Sequence, residues 1–398
     1  MSEVVLATAS EKQVWSTSYL KEFVRASRFL KYISRADTSI FVAKYELQEE
    51  AGKTINIPLI TKIEGDGVGG SEALDGNEAE VGNYNCAITV DWVRQAVRVP
   101  KSTSYKTEIN LMGAARPMLK NWSAEDLRTD IIYGLMQVCT GGTYGDTTLP
   151  YGQITKDAAN GGYQVASTFV AGSTFARRKG INYVSAAEAD KDTWLAANSD
   201  RILFGKTRSN ASSLDHSTAL TTLDSTDDRL TVAQASLAKR MAANATPAIY
   251  PFTLDDGREF YVMFCGPRSF RDLKGDTAMV SANRDARARE GNGMDSNPLF
   301  QDGDLMYDGI LFREVPEIPH LTNAGSGGTT DVEPNFLCGR QAVGIAWGQE
   351  PTPRTDTDKD FQFRPGVATE ELRGVKKLAF NGKQQGIVTV YSAAPADS

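Results

Sequence analysis

The residues able to do acid–base, nucleophilic or metal chemistry are few in this chain, and their spacing does not favour it. Only two histidines occur, His216 in SSLDHST and His320 between Pro319 and Leu321. Neither has a nucleophile beside it, so each reads as a structural or exposed imidazole. Cys86, Cys139, Cys265 and Cys338 stand singly, with no C-x-x-C pair. No four-ligand zinc set is written, and isolated cysteines read as small buried hydrophobes in a reducing compartment. Gly52-Lys53-Thr54 mimics the end of a phosphate-binding loop, but the first glycine of that motif falls on Leu47 and an extended run follows instead of a helix. GDGVGG at 65–70 also lacks a following helix N-terminus. Asp356, Asp358 and Asp360 have calcium-loop spacing, yet Phe361 stands where glycine is needed and Val367 where glutamate is needed. At most a weak surface cation site remains there. Asp255/Asp256 and Asp302/Asp304 adjoin glycine and read as turns. A hydrolase or metal-dependent enzyme using Asp302, Asp304 and His320 stays as an alternative resting on those residues alone. Catalytic, cofactor-binding and metal-ligating residues are otherwise expected to be none.

The composition agrees with work done by contact. The 398 residues are enough for two or three domains, and 41% hydrophobic with 23% charged residues is ordinary for a folded soluble chain. With 43 Lys+Arg against 50 Asp+Glu the net charge is -7, unlike a high-affinity nucleic-acid reader. No apolar run approaches the ~20 residues that span a bilayer. The opening MSEVVLATASEKQ lacks the basic and apolar regions of a signal peptide. No membrane association is expected, and a surface adhesin is disfavoured.

The elements that would position any working residue follow from periodicity. Residues 11–35 predict an amphipathic helix, with Trp15, Tyr19, Phe23, Leu30 and Ile33 as its stripe. Lys21, Arg25, Arg28, Lys31 and Arg35 recur on the other side. From Lys12 to Arg35 six basic residues face one acidic residue, Glu22, a balance of +5. This is a solvated helix face or an arm lying against polyanion or an acidic partner. Lys53–Ile63 alternates as a strand, and Pro58 confines it to an edge or a free arm. Tyr84–Val99 alternates too, but its apolar side changes near Trp92. At full length it would reach roughly 50 Å, which predicts a hairpin that projects outward.

Between the two runs, residues 63–82 carry Glu64, Asp66, Glu72, Asp75, Glu78 and Glu80, six glycines and no basic residue. Such a tip is expected to move when free. It is either a loop or a segment that orders against a basic surface on another subunit. A helix over Thr107–Lys120, ended or kinked at Pro117, and a second from Ser123 to Cys139, begun by a Ser123/Asp126 capping pair, come next. Residues 141–225 are rich in Gly, Ala, Ser, Thr and Asn and read as an insertion, with one helix at Ala186–Ala197. Later signals are helices at Asp227–Asn244, Arg268–Leu273 and Ser281–Glu290. Strands are expected at Glu259–Phe264 and Asp308–Val315, within Asn335–Trp347 and within Leu378–Tyr391. The class is α+β.

This order of elements resembles the major capsid proteins of tailed bacteriophages with the HK97-type fold, and the first 140 residues are similar to the capsid family typified by N4-like phages. The carrying residues are Val14-Trp15, Gly52-Lys53-Thr54-Ile55-Asn56-Ile57-Pro58-Leu59, Gly65-Asp66-Gly67-Val68 and Leu74-Asp75-Gly76-Asn77-Glu78. Ile88-Thr89-Val90-Asp91 and Trp122-Ser123-Ala124-Glu125-Asp126 follow, with a looser match over Phe260–Arg271 and Gly309–Pro316.

The resemblance implies an N-terminal arm (1–50), an extended loop (51–105) and a peripheral domain (106–245) with a spine helix at 123–140 and the insertion. An axial domain (246–345) and a return to the peripheral domain (346–398) complete it. It implies a homo-oligomer of pentamers and hexamers enclosing double-stranded DNA with weak non-specific contact. Scaffolding, portal and decoration proteins are the further partners, the virion is its location, and the host bacterial cytoplasm is the place of assembly. No cofactor is implied. An encapsulin-like cellular shell is the alternative. On this reading the acidic tip contacts a neighbour, with Arg284, Arg287, Arg289, Lys376 and Lys377 as candidate partners. Lys21, Arg25, Arg28, Lys31 and Arg35 face the interior and its DNA.

Overall fold

The computed structural model describes residues 27–49, 52–61, 63, 67–70, 75, 81–106, 110–138, 154–157, 162–165, 186–253, 257–282, 305–358 and 360–396. In chain order its elements begin with β1 (Ile33–Ser34), β2 (Phe41–Lys44), β3 (Thr54–Ile60), β4 (Asn83–Thr89), β5 (Asp91–Arg98), α1 (Lys101–Ser104) and α2 (Leu111–Leu135). Then come β6 (Ile154–Lys156), β7 (Tyr163–Val165), α3 (Glu188–Ala197), β8 (Ile202–Phe204), α4 (His216–Thr221) and α5 (Val232–Asn244). β9 (Phe252–Thr253), β10 (Glu259–Cys265), α6 (Pro267–Gly275), β11 (Leu305–Tyr307), β12 (Ile310–Glu314) and β13 (Pro319–His320) follow. The chain closes with β14 (Val332–Cys338), β15 (Val343–Asp356), β16 (Gly366–Lys377), β17 (Ala379–Phe380), β18 (Lys383–Gln384) and β19 (Ile387–Ala393). Two compact units result. Of the described residues, the smaller holds those within Trp92–Leu127 and Glu350–Glu371 together with Ser27, and the larger holds the rest.

The larger unit is built on a sheet of order β11-β12-β10-β14-β19-β8. β10 runs parallel to β12 and antiparallel to β14, while β8 lies parallel to β19. β10 reads EFYVMFC and β19 reads IVTVYSA, and their near-continuous burial is that of strands covered on both faces. α5 lays Ala235, Ala238, Met241 and Ala242 on this sheet, and α6 adds Phe270 and Leu273. The small alanine face lets α5 approach closely.

Two expectations change here. Residues 186–225 are not an excursion, because β8 is an integral strand of the main sheet and Trp194 of α3 is fully buried. The stretch from 27 to 35 is not helical either. Leu30–Tyr32 form one 3-10 turn before β1, and Phe29 and Tyr32 are drawn into an aromatic cluster with Phe41 and Phe264. Tertiary packing there overrides local helical spacing. Residues 11–26 lie outside the described residues, as do Cys139, Asp255, Asp256, Asp302, Asp304 and 283–290.

In the smaller unit β5 lies at the edge of a sheet beside β16, which in turn neighbours β15. The Val99 N–H donates to the Pro365 carbonyl at 3.1 Å, and the Lys101 N–H to the Phe363 carbonyl at 3.0 Å. Arg98 pairs with Asp356 at 2.9 Å and Arg354 with Glu370 at 2.6 Å. α2 starts here as one continuous helix, not the two that the sequence predicts. Asn110 Oδ1 accepts the Gly113 N–H at 2.9 Å and caps it. Pro117 is accommodated because it and Gly113, four residues before, are exposed, so the carbonyl released by the missing N–H meets water. Ser123 is a buried mid-helix residue whose Oγ donates to the Glu371 carboxylate at 3.3 Å. Further along, in the larger unit, Asp130 takes two hydrogen bonds from Arg373, at 3.0 and 2.8 Å, with both side chains buried.

Candidate functional site

β3 and β4 form an antiparallel hairpin in register from Thr54↔Thr89 to Ile60↔Asn83. Among the described residues β3 has no other partner strand, as Pro58 requires of it. Ile55, Cys86, Ile88 and Val90 are buried with Ala346, Leu378 and Phe380, so the base of the hairpin is fixed to the larger unit. The distal side chains are different: Ile60 is 72% exposed, Ile63 65% and Val81 49%. The Thr61 N–H donates to the Gly82 carbonyl at 2.9 Å, and the Gly82 N–H returns to Thr61 Oγ1 at 2.9 Å, closing the described part of the hairpin.

The long strand expected over Tyr84–Val99 is two strands, β4 and β5, in different sheets, with the break at Val90. The change of apolar side marks that passage. Trp92 is 49% exposed, although it alternates in step with Ile88 and Val90. Along β3 runs a groove of about 490 Å³, walled by Asp37, Lys44, Glu46, Leu47, Leu378 and Phe380. Among the described residues no histidine, cysteine or serine lines it, and its course along a strand edge suits extended chain.

Of the acidic tip residues only Asp75 is described; Glu64, Asp66, Glu72, Glu78 and Glu80 lie outside the described residues, as do Arg284, Arg287 and Arg289. Lys377 is 1% exposed, its Nζ donates to Gln384 Oε1 at 3.1 Å, and it lies over the Trp194 ring. That burial removes it as a contact for another subunit. Lys376 Nζ donates to the Ala87 carbonyl at 2.9 Å, bracing the hairpin of its own chain. In the arm, Lys21 and Arg25 are outside the described residues. Arg28 is half-buried and Lys31 exposed, and the exposed Arg35 guanidinium stacks 4.2 Å over Tyr45.

Two polar clusters escaped sequence reading. Arg268 pairs with Asp331 at 2.7 Å, and His320 Nε2 meets Asp157 Oδ2 at 3.2 Å. All four are buried. Burial, then the nearby Arg268 charge, lowers the His320 pKa, so the ring is neutral and structural. Beside them Glu333 Oε2 accepts the Ser269 N–H at 2.7 Å at the start of α6. A Cβ on Gly266 would come within 2.1 Å of this carboxyl, so any larger residue there would force the Glu333 side chain to shift. Burial pushes the Glu333 pKa up to about 7.

The second cluster is Glu188, Asp192 and Asp215, whose carboxylate oxygens lie within 4.8 Å of one another. These carboxylates are already engaged. Asp215 caps α4 through the Thr218 N–H, Asp192 accepts the His216 N–H, and Glu188 pairs with Lys191. The partners in both clusters lie far apart in sequence or depend on chain reversal, so no motif spacing could reveal them. In the Asp356–Asp360 segment, Arg98 and Arg364 engage Asp356 and Asp360. Among the described residues no helix is long and apolar enough to cross a membrane.

Residues 5–396 match the family described as phage capsid protein. A major capsid protein of Pseudomonas phage KPP25 is 26% identical over 404 residues, covering 97% of this chain and 96% of that protein. Among solved structures, the cyanophage Pam1 capsid asymmetric unit superposes over all of both chains with a TM-score of 0.80 and 38% identity. The capsid of Ralstonia phage GP4 does so with a TM-score of 0.70 and 19% identity, a likeness of fold.

Proposed function

The chain belongs to the phage capsid protein family, and from that premise we propose how its surfaces build a shell. Its fold is of the HK97 type, and its function is that of a phage major capsid protein, a component of the virion. In our reading copies form the hexamers and pentamers of an icosahedral head around double-stranded DNA. Assembly takes place in the host bacterial cytoplasm, with scaffolding, portal and decoration proteins as its further partners. Residues 1–50 act as arm, 51–105 as extended loop, 106–245 and 346–398 as peripheral domain and 246–345 as axial domain. The role is structural, and no bond-making step is assigned to any residue.

The observation that carries this reading is the hairpin. Its base is packed into its own chain, while Ile60, Ile63 and Val81 remain uncovered beyond it. Apolar side chains left together at the end of a fixed projection mark a contact with another protein. The acidic 63–82 tip extends that contact toward a basic surface on a neighbour, with Arg284, Arg287 and Arg289 the remaining sequence candidates. Lys21, Arg25, Arg28, Lys31 and Arg35 give a local balance that attracts DNA weakly and in a salt-dependent way.

Electron microscopy of the purified full chain, concentrated without other phage proteins, tests the reading. Capsid-like particles, capsomers or sheets are expected. A well-behaved monomer that persists at high concentration contradicts it.

A further inference from the structure

We infer that the buried contact between His320 and Asp157 is an acid-sensitive latch, which holds the strand pair β6–β7 on the larger unit and releases it when the imidazole takes up a proton.

The strand pair has few other ties. β6 and β7 pair antiparallel over three residues, from Ile154↔Val165 to Lys156↔Tyr163. Among the described residues the only other strand that joins them is β13, which is two residues long and runs parallel to β7 as Pro319↔Tyr163 and His320↔Gln164. The Ile154 N–H donates to the Tyr133 hydroxyl at 3.1 Å, and Thr322 Oγ1 donates to Gln164 Oε1 at 3.1 Å. A short pairing of this kind opens locally, at far less cost than unfolding the main sheet. His320 stands in the joining strand itself. Its Nε2 lies 3.2 Å from Oδ2 of Asp157, the residue that follows β6.

Three charged groups face the ring, and they belong to different elements. Asp157 comes from the strand pair. Asp331, just before β14, has Oδ2 4.0 Å from His320 Nε2. Arg268, in α6, donates to Asp331 at 2.7 Å and to the Ala394 carbonyl at 3.0 Å. The other oxygen of Asp331 accepts the Asn323 N–H at 2.9 Å. Arg268 and Asp331 are thus tied within the rest of the larger unit, and Asp157 is the strand pair's own share of the cluster. Glu333, the next carboxyl along β14, is bonded to the Ser269 N–H of α6. Its titration therefore acts on the main sheet.

The sign follows from burial. At neutral pH the uncharged ring donates its Nε2–H to the Asp157 carboxylate. Burial, then the Arg268 charge, holds the pKa of the closed form below the ordinary 6.5, with Asp331 and Asp157 pulling the other way. When β6–β7 leaves, water reaches the ring and charging it becomes easier. Departure of Asp157 works against this, but burial is the larger effect. The open form then binds a proton more readily than the closed form. Lowering the pH from the ordinary value toward the depressed one draws the equilibrium toward opening.

Backbone hydrogen exchange of the full chain, read by mass spectrometry and corrected for intrinsic rate, tests this from about pH 7.5 to about pH 5. Peptides covering β6 and β7 should lose protection as the pH falls, by up to about tenfold per pH unit, the limit for one proton. Peptides from β10 and β19 should keep theirs. His320→Gln, whose amide can donate to Asp157 but takes up no proton, should hold the strand pair at one level of protection throughout. The chain has only two histidines, so deuteration of the imidazole C2–H in the same samples reads the titration of His320 in the unaltered protein. Its midpoint should coincide with the loss of protection, a comparison that decides the matter even where the variant does not fold. Protection of β6 and β7 that is independent of pH in the parent overturns the inference. So does an acid-induced loss that His320→Gln retains, or one that departs from the His320 titration.

Discussion

At the residue scale, burial rather than motif decides what the polar groups do. Glu333 has an ordinary pKa of 4.5 that burial raises to about 7. Between these values the folded chain keeps a proton that the unfolded chain releases, so stability contributed by this group falls as pH rises through that window. His216 behaves oppositely. Burial lowers its pKa from 6.5 to about 4, so acid costs stability as pH drops through that range. Glu333→Gln keeps the oxygen that accepts the Ser269 N–H and removes the titration. Its melting temperature is expected to decline less between pH 5 and pH 8 than that of the parent. Parallel pH profiles for the two proteins would refute the burial argument. None of this was legible in sequence, because Asp130 with Arg373, His320 with Asp157 and Glu333 with Ser269 meet only through the fold. What was legible was negative: single cysteines and isolated histidines, and Cys86, Cys265, Cys338, His216 and His320 are all buried.

At the element scale, strands with strong alternation and a telling proline were readable. β3 and β4 pair as their patterns demand, and Pro58 sits on the free edge. β10, α5 and α6 lie close to their expected positions because each combines apolar pattern with length. The failures have physical causes. β8 has three residues, too few to show a period, yet all three are buried. Ser123 and Asp126 have capping spacing, but Asn110 starts the helix and Ser123 is used sideways, against Glu371. Asn110→Ala is therefore expected to cost about 1 kcal/mol of stability, as removal of an N-cap does. Chemical denaturation would read it, and an unchanged midpoint would place the start of α2 elsewhere.

At the scale of the whole molecule, the net charge of -7 conceals a segregation. Acid collects in residues 63–82, while base collects over Lys12–Arg35 and again over Trp92–Trp122. A single folded chain has no need of such a separation, but identical copies that clasp one another do. The exposed apolar residues at the end of the fixed hairpin point the same way. The central claim is that this hairpin joins subunits of a phage shell, and the most direct measurement compares the full chain with a variant lacking 63–82. Both are followed by sedimentation velocity across a concentration series. The account predicts large assemblies from the full chain and only folded, small species from the deletion. Assemblies of the same size from both, at the same concentration, would contradict it.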